Sequence, residues 1–156
     1  SYGGIPLIYM GDELALLNDH GYRDVPEHAH DSRWLHRPRM DWALASSRHD
    51  GTTPSARVFR GTRHILQRRK ATPGLHGGYG TRIQPCESSG IFAFQRLAPT
   101  GPILCLFNFT ETWQHLPEAW ARNLSVTRMH DLLSDHPFET HQGNIALPPY
   151  ARVWLI

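Results

Sequence analysis

The chain has 156 residues, 40% of them hydrophobic, and a formal net charge of +2 at neutral pH. That length and apolar share are enough for one or two compact units and argue against disorder. The near-balance of charge excludes the strong basic field of a nucleic-acid binder, and no apolar run is long enough for a membrane span.

The first element is Gly4-Ile5-Pro6-Leu7-Ile8-Tyr9-Met10-Gly11-Asp12-Glu13. Its near-continuous apolar run reads as a strand buried on both faces, as in a parallel α/β sheet, and Gly11 ends it. In a barrel of parallel strands the chemistry gathers at the strands' C-terminal ends, which would place Asp12 and Glu13 at an active-site edge. The plain alternative is a buried strand followed by a loop. No charged leader precedes this strand, which says little about location: that stays unknown, with the cytoplasm favoured. A chain opening almost directly on a buried strand also reads as the later part of a longer protein.

From Leu14 to about Trp42 apolar periodicity is lost, and a loop of this length in a compact protein is usually functional or disordered. His20, His28, His30 and His36, with Asp19, Asp24, Glu27 and Asp31, have none of the compact spacings that mark a metal site, so no metal or cofactor is expected. Asp31-Ser32-Arg33-Trp34 and His36-Arg37-Pro38-Arg39 stand out within the loop. Arginine's rigid fork can pair with a carboxylate while still offering hydrogens to a sugar hydroxyl, and a neighbouring tryptophan can stack on a sugar face. The same residues also suit a simple surface ion pair.

Thr52 or Thr53 before Pro54 marks a helix start, with a hydroxyl to cap free amides and a proline at the first helical position. Val58, Phe59, Thr62, Ile65 and Leu66 recur at helical spacing, and the helix should stop before Pro73-Gly74. Arg68-Arg69-Lys70 suits the exposed last turn, where positive charge complements the macrodipole. After Gly77-Gly78 the pattern changes to short β-branched and aromatic segments. Strands are expected at 82–87, 91–97, 103–109, 126–132, 144–147 and 152–156, with Ser88-Ser89-Gly90 and Pro99-Thr100-Gly101 as hairpin turns and a short helix at 117–122. This spacing describes an antiparallel sandwich. Cys86 and Cys105 are too few for a disulfide scaffold and read as small buried hydrophobes or as one bridge. Asn108-Phe109-Thr110 and Asn123-Leu124-Ser125 match the glycosylation sequon, a pattern short enough to recur by chance.

The order of these parts resembles glycoside hydrolase family 13, the α-amylase superfamily. The resemblance rests on the opening Gly-x-Pro-x-x-Tyr-x-Gly-Asp-Glu strand, the long loop, the helix around His64 to Leu75, and a sandwich containing Leu106-Phe107-Asn108-Phe109 and Leu147-Pro148-Pro149-Tyr150. Asn18-Asp19, Asp31-Ser32-Arg33-Trp34 and His36-Arg37-Pro38-Arg39 make it similar to the branch holding amylosucrase and the sucrose hydrolases. The implied fold is α/β followed by all-β: residues 1–76 as the last strand, loop and helix of a (β/α)8 barrel, and residues 77–156 as a C-terminal antiparallel β-sandwich. A barrel needs about 250 residues, so the chain cannot hold a complete one beside its sandwich. The implied activity is retaining α-glucosyl chemistry on sucrose, with transfer to water or to an α-glucan. Its catalytic carboxylates lie on earlier strands, in an N-terminal remainder of the enzyme, so this chain alone is expected to be inactive. The resemblance assigns substrate binding to Arg33 and a supporting position behind the site to Asp12, Glu13 and Asp19. The rival reading is a non-catalytic sandwich that stabilises its parent or binds carbohydrate.

Overall fold

The computed structural model describes residues 1–156, which divide into two compact units: Pro6–Leu66, and Ser1–Ile5 together with Gln67–Ile156. The division falls inside the long helix, whereas the sequence pattern changes near residues 76–77.

The expected opening strand, which would cross from one unit to the other between Ile5 and Pro6, is absent. Residues 5–9 pair with no other segment, and Ile5 and Leu7 are 93% and 88% exposed. An extended apolar run becomes a strand only when neighbours satisfy its backbone groups and cover its side chains, and this chain supplies no such neighbours. Residues 1–79 contain no strand at all, so no barrel is present. The long polar segment is instead folded into 3-10 turns at Asp12–Leu14, His20–Asp24 and Ser32–His36, followed by the short helix α1, Trp42–Ser46. Three aspartates start these elements in the same way. The carboxylates of Asp19, Asp31 and Asp41 accept from the N–H groups of Gly21, Arg33 and Leu44, at 2.9, 3.0 and 2.9 Å, satisfying donors that a helix start leaves free.

Helix α2 runs from Pro54 to Ala71, with the Thr53 hydroxyl accepting from the Ala56 N–H at 3.2 Å. The start and stop agree with the cap and proline signals. Arg68 departs from its expected free position: its side chain is only 24% exposed. Nε donates to the Leu132 carbonyl at 2.7 Å, and the guanidinium pairs with Asp135 at 3.1 Å, fastening the end of α2 to a turn 64 residues away. After α2, Gly74 lies so close to the sheet that an added Cβ would sit 2.6 Å from Ile103 Cδ1, and a larger residue there would force the Ile103 side chain to shift.

The second unit has eight strands: β1 Gly80–Ile83, β2 Ile91–Ala98, β3 Gly101–Asn108, β4 Gln114–Pro117, β5 His130–Asp131, β6 His136–Pro137, β7 Asn144–Leu147 and β8 Arg152–Leu155. Helix α3, Glu118–Asn123, follows β4. Every pairing is antiparallel, in a six-stranded sheet of order β1-β2-β3-β8-β5-β6 and a second pair, β4-β7. The sandwich is therefore unequal, six strands facing two. Alternation along the strands sends Ile91 and Ala93 of β2, Leu104 and Leu106 of β3, and Val153 and Leu155 of β8 to one face. They bury there with Leu116, Ile145, Leu147, Ala121 and Val126 in one apolar cluster.

The strand expected over 126–132 is reduced to His130–Asp131, because left-handed backbone at Ser125 and Met129 interrupts any extended run. At β1, Pro85 ends the pairing early, since it has no N–H to give. Strands β4 and β6 were not expected; only Leu116 of the first is buried, and the second has two residues. Cys86 and Cys105 are both free. Burial pushes the Cys105 thiol up to about 12.

Three buried polar groups organise the rest. Asp131 accepts from the N–H groups of Leu133, Ser134 and Trp154, at 3.0, 3.0 and 2.8 Å, which joins β8 to the turn after β5. The amide nitrogen of Asn108 donates to the carbonyls of Thr112, Leu147 and Pro148, at 2.8, 3.1 and 2.8 Å. The Arg96 guanidinium, fully buried, donates to the Tyr2 carbonyl at 2.7 Å, the His76 carbonyl at 2.6 Å and the Thr81 hydroxyl. It thereby holds Ser1–Ile5 on the sheet, where the Tyr2 ring also meets Phe94 edge-on at 5.1 Å.

Candidate functional site

The residues singled out by sequence lie on the turns between Gly11 and Arg37. Gly11 has a left-handed backbone, φ 101°, and a Cβ there would come within 2.8 Å of Leu16 Cδ1, so the abrupt turn depends on glycine. The Glu13 carboxylate reaches back to accept from the Gly11 N–H at 2.9 Å. Asp12 accepts through its carbonyl from Ala15 at 3.2 Å and leaves its side chain exposed. Both acids therefore serve the local turn.

Asp19 and Arg33 belong to segments that the structure brings together. The Asp19 N–H donates to the Leu35 carbonyl at 2.9 Å, and the neighbouring Asn18 Oδ1 lies 3.1 Å from His36 Nδ1. Neither Asp12 nor Glu13 bonds to this pair of segments.

Arg33 is 73% exposed and paired within its own turn. Its Nε donates to both oxygens of Asp31, at 2.8 and 2.9 Å, and Nη2 lies 2.7 Å from Asp31 Oδ2. The side-chain bonds from Arg33, followed by its backbone N–H, hold the Asp31 carboxyl down at about 2. No hydrogen bond is formed by Nη1 and the side chain is mostly exposed, so the pair keeps N–H donors for a further carboxylate or a hydroxyl. The signal for Asp31 as partner was the Asp-x-Arg spacing, which lets one carboxylate cap the turn and grip the side chain two residues on. Trp34 is less free: His28 stacks on it at 3.7 Å with planes 15° apart, and the Arg37 guanidinium lies 5.8 Å from its ring centre. A sugar could not stack on the face that His28 covers.

The long helix leading into an unequal antiparallel sandwich is the architecture of a C-terminal β domain. Residues 81–156 match the family described as amylosucrase, C-terminal domain. Residues 81–156, a little under half of the chain, are thus similar to an amylosucrase C-terminal domain, in keeping with the resemblance to the C-terminal part of glycoside hydrolase family 13. Among solved structures, AmyP in complex with maltose is similar at 14% identity and a TM-score of 0.56, over 68% of this chain and 21% of that one. A mutant of AmyP in complex with maltotriose gives 14%, 0.54, 68% and 22%. A MutB mutant in complex with glucose gives 18%, 0.50, 70% and 19%. At such identities the likeness is one of fold. The chain spans about a fifth of the length of these structures.

Proposed function

We propose that the chain is the C-terminal part of a retaining α-glucosyl enzyme acting on sucrose, and that Arg33 closes the end of its glucose pocket. The match of residues 81–156 to the amylosucrase C-terminal domain carries this reading. In such an enzyme a carboxylate displaces fructose to form a glucosyl-enzyme, a protonated acid assists the leaving oxygen, and water or the 4-hydroxyl of an α-glucan then takes the glucose. Those acids come from the N-terminal remainder. Arg33 contributes binding: with Nε and Nη2 held by Asp31, its Nη1 edge is set to meet a carboxylate from another loop and the terminal hydroxyls of one glucose. A rigid pair at that point makes a blind pocket, which admits a single glucosyl unit and rejects a polymer.

Two measurements test this. The 156-residue chain alone should release no fructose from sucrose; turnover by the purified chain would mean that the active site is misplaced. In the full-length enzyme Arg33→Ala should lower kcat/KM on sucrose by orders of magnitude, and Arg33→Lys should recover little, because an ammonium cannot make the planar two-point contact. A loss of less than about threefold in Arg33→Ala, ~0.7 kcal/mol, would leave the loop as a surface feature only.

A further inference from the structure

We propose that His36 is a second substrate-binding residue beside Arg33: with its tautomer set by Asn18, it offers Nε2 as an acceptor to a hydroxyl of the same glucosyl unit. This inference deepens the function proposed above and rests on it. A sugar hydroxyl both donates and accepts, whereas a guanidinium only donates. Arg33 alone therefore leaves each hydroxyl it meets with a hydrogen to place, and in a pocket closed to water an unplaced hydrogen weakens binding.

The nearest acceptor is already occupied. Asp31 Oδ1 accepts from the N–H and Nε of Arg33, at 3.0 and 2.8 Å, and Oδ2 accepts from Nε at 2.9 Å and Nη2 at 2.7 Å. Two donors on each oxygen fill the roughly four lone-pair sites of a carboxylate. His36 offers what Asp31 does not. It stands three residues after Arg33 on the 3-10 turn Ser32–His36, and because three residues complete one turn of such a helix, the two side chains leave from the same face. Both are exposed.

Asn18 decides which ring nitrogen is left to accept. Its Oδ1 lies 3.1 Å from His36 Nδ1, and since an amide oxygen can only accept, Nδ1 carries the hydrogen. In the neutral ring the remaining lone pair then belongs to Nε2. The turn itself is held at both ends: Asp31 caps its start, and the Leu35 carbonyl accepts from the Asp19 N–H at 2.9 Å. Between those ties His28 stacks on Trp34 at 3.7 Å. A donor and an acceptor fixed in this way on one face lose little freedom on binding, and together they suit a hydroxyl that receives from one and gives to the other.

Two measurements test this. In the 156-residue chain, long-range proton–nitrogen NMR of the imidazole should find the neutral His36 ring protonated on Nδ1, and Asn18→Ala should remove that preference. A ring protonated on Nε2, or a preference that Asn18→Ala leaves in place, would overturn the proposal. In the parent enzyme proposed above, His36→Ala should lower kcat/KM on sucrose about tenfold, mainly through KM. A glutamine amide reaches the place of Nε2 and an asparagine amide the place of Nδ1, so His36→Gln should recover most of that loss and His36→Asn little. The reverse order would make His36 a support for the turn and nothing more. That result, equal recovery by both variants, or no loss in His36→Ala would each overturn the contact. Melting midpoints are compared throughout, and if His36→Ala fails to fold, the glutamine and asparagine variants and the NMR of the unsubstituted chain decide. An unchanged kcat/KM in Arg33→Ala would sink the reading of the parent enzyme, whereas a loss in Arg33→Ala without one in His36→Ala would sink this inference alone.

Discussion

The two compact units are held by opposite means. Between Gln67 and Ile156, order comes from residues far apart in sequence: β3 lies between β2 and β8, and Leu106 meets the register of Ala93 on one side and Val153 on the other. Between Pro6 and Leu66, order comes from neighbours two or three residues apart, above all the carboxylates of Asp19, Asp31 and Asp41. Few of this unit's apolar side chains are covered; Leu14, Tyr22 and Ala56 are buried, while Leu7, Leu17 and Trp42 face outward. Local hydrogen bonds shape a surface, but each contributes only about 1 kcal/mol net. An apolar core contributes through area removed from water and makes its strands cooperate. A shaped, lightly buttressed segment suits a binding loop, and a cored sandwich suits a scaffold.

The largest effect should come from the cored unit. Leu106→Ala removes a fully buried side chain from the apolar cluster and should cost about 2–5 kcal/mol, read as a lower denaturation midpoint by circular dichroism. A loss below about 1 kcal/mol would mean that the sandwich does not depend on this cluster as described.

A smaller effect is expected where α2 is fastened. Arg68→Ala removes the bond to the Leu132 carbonyl and the pair with Asp135, which is itself 62% exposed. Solvent screening leaves about 1 kcal/mol, measured in the same melts. In the parent enzyme proposed above, that change should lower stability while leaving kcat/KM on sucrose nearly unaltered.

The smallest effect belongs to the Asp31–Arg33 pair. The Asp31 carboxyl titrates at about 2, below its ordinary 3.8. A depressed folded value means that the pair's contribution is fully present above the ordinary value and is lost as pH falls toward about 2. Carbon-detected NMR should follow Asp31 to that endpoint in the parent and return it to the ordinary carboxylate range in Arg33→Ala. An Asp31 that titrates near 4 in the parent would show that the pair is not formed in solution.

Legibility in the sequence followed the same divide in an unexpected way. Helix α2 could be bounded because Thr53-Pro54 and Pro73-Gly74 act locally, and 144–147 and 152–155 because alternation there coincides with burial. The strands β4 and β6 could not, since a single buried Leu116 makes no period and two residues make no pattern. The run Ile5 to Met10 misled because its composition describes a buried strand, while the neighbours that would bury it are not in this chain. Arg33 stood out in a polar loop and its partner Asp31 was within the same motif, but which guanidinium nitrogens the pair engages is a matter of geometry that spacing does not encode. Arg68 was misplaced because its carbonyl partner lies 64 residues away, beyond any periodicity.

Asn108 carries one more consequence. It heads an Asn-Phe-Thr sequon, yet its side-chain nitrogen donates to three carbonyls, and the residue is 2% exposed. An oligosaccharide on that nitrogen would remove a hydrogen needed for those bonds and would have to occupy the space between β3 and the Pro148 turn. Glycosylation and the folded domain are therefore mutually exclusive at this position. If the chain were produced through a eukaryotic secretory route, Asn108 would compete between two fates during synthesis, sugar attachment or burial, and only molecules that escaped modification there could complete the sandwich. A bacterial cytoplasmic host avoids that competition altogether.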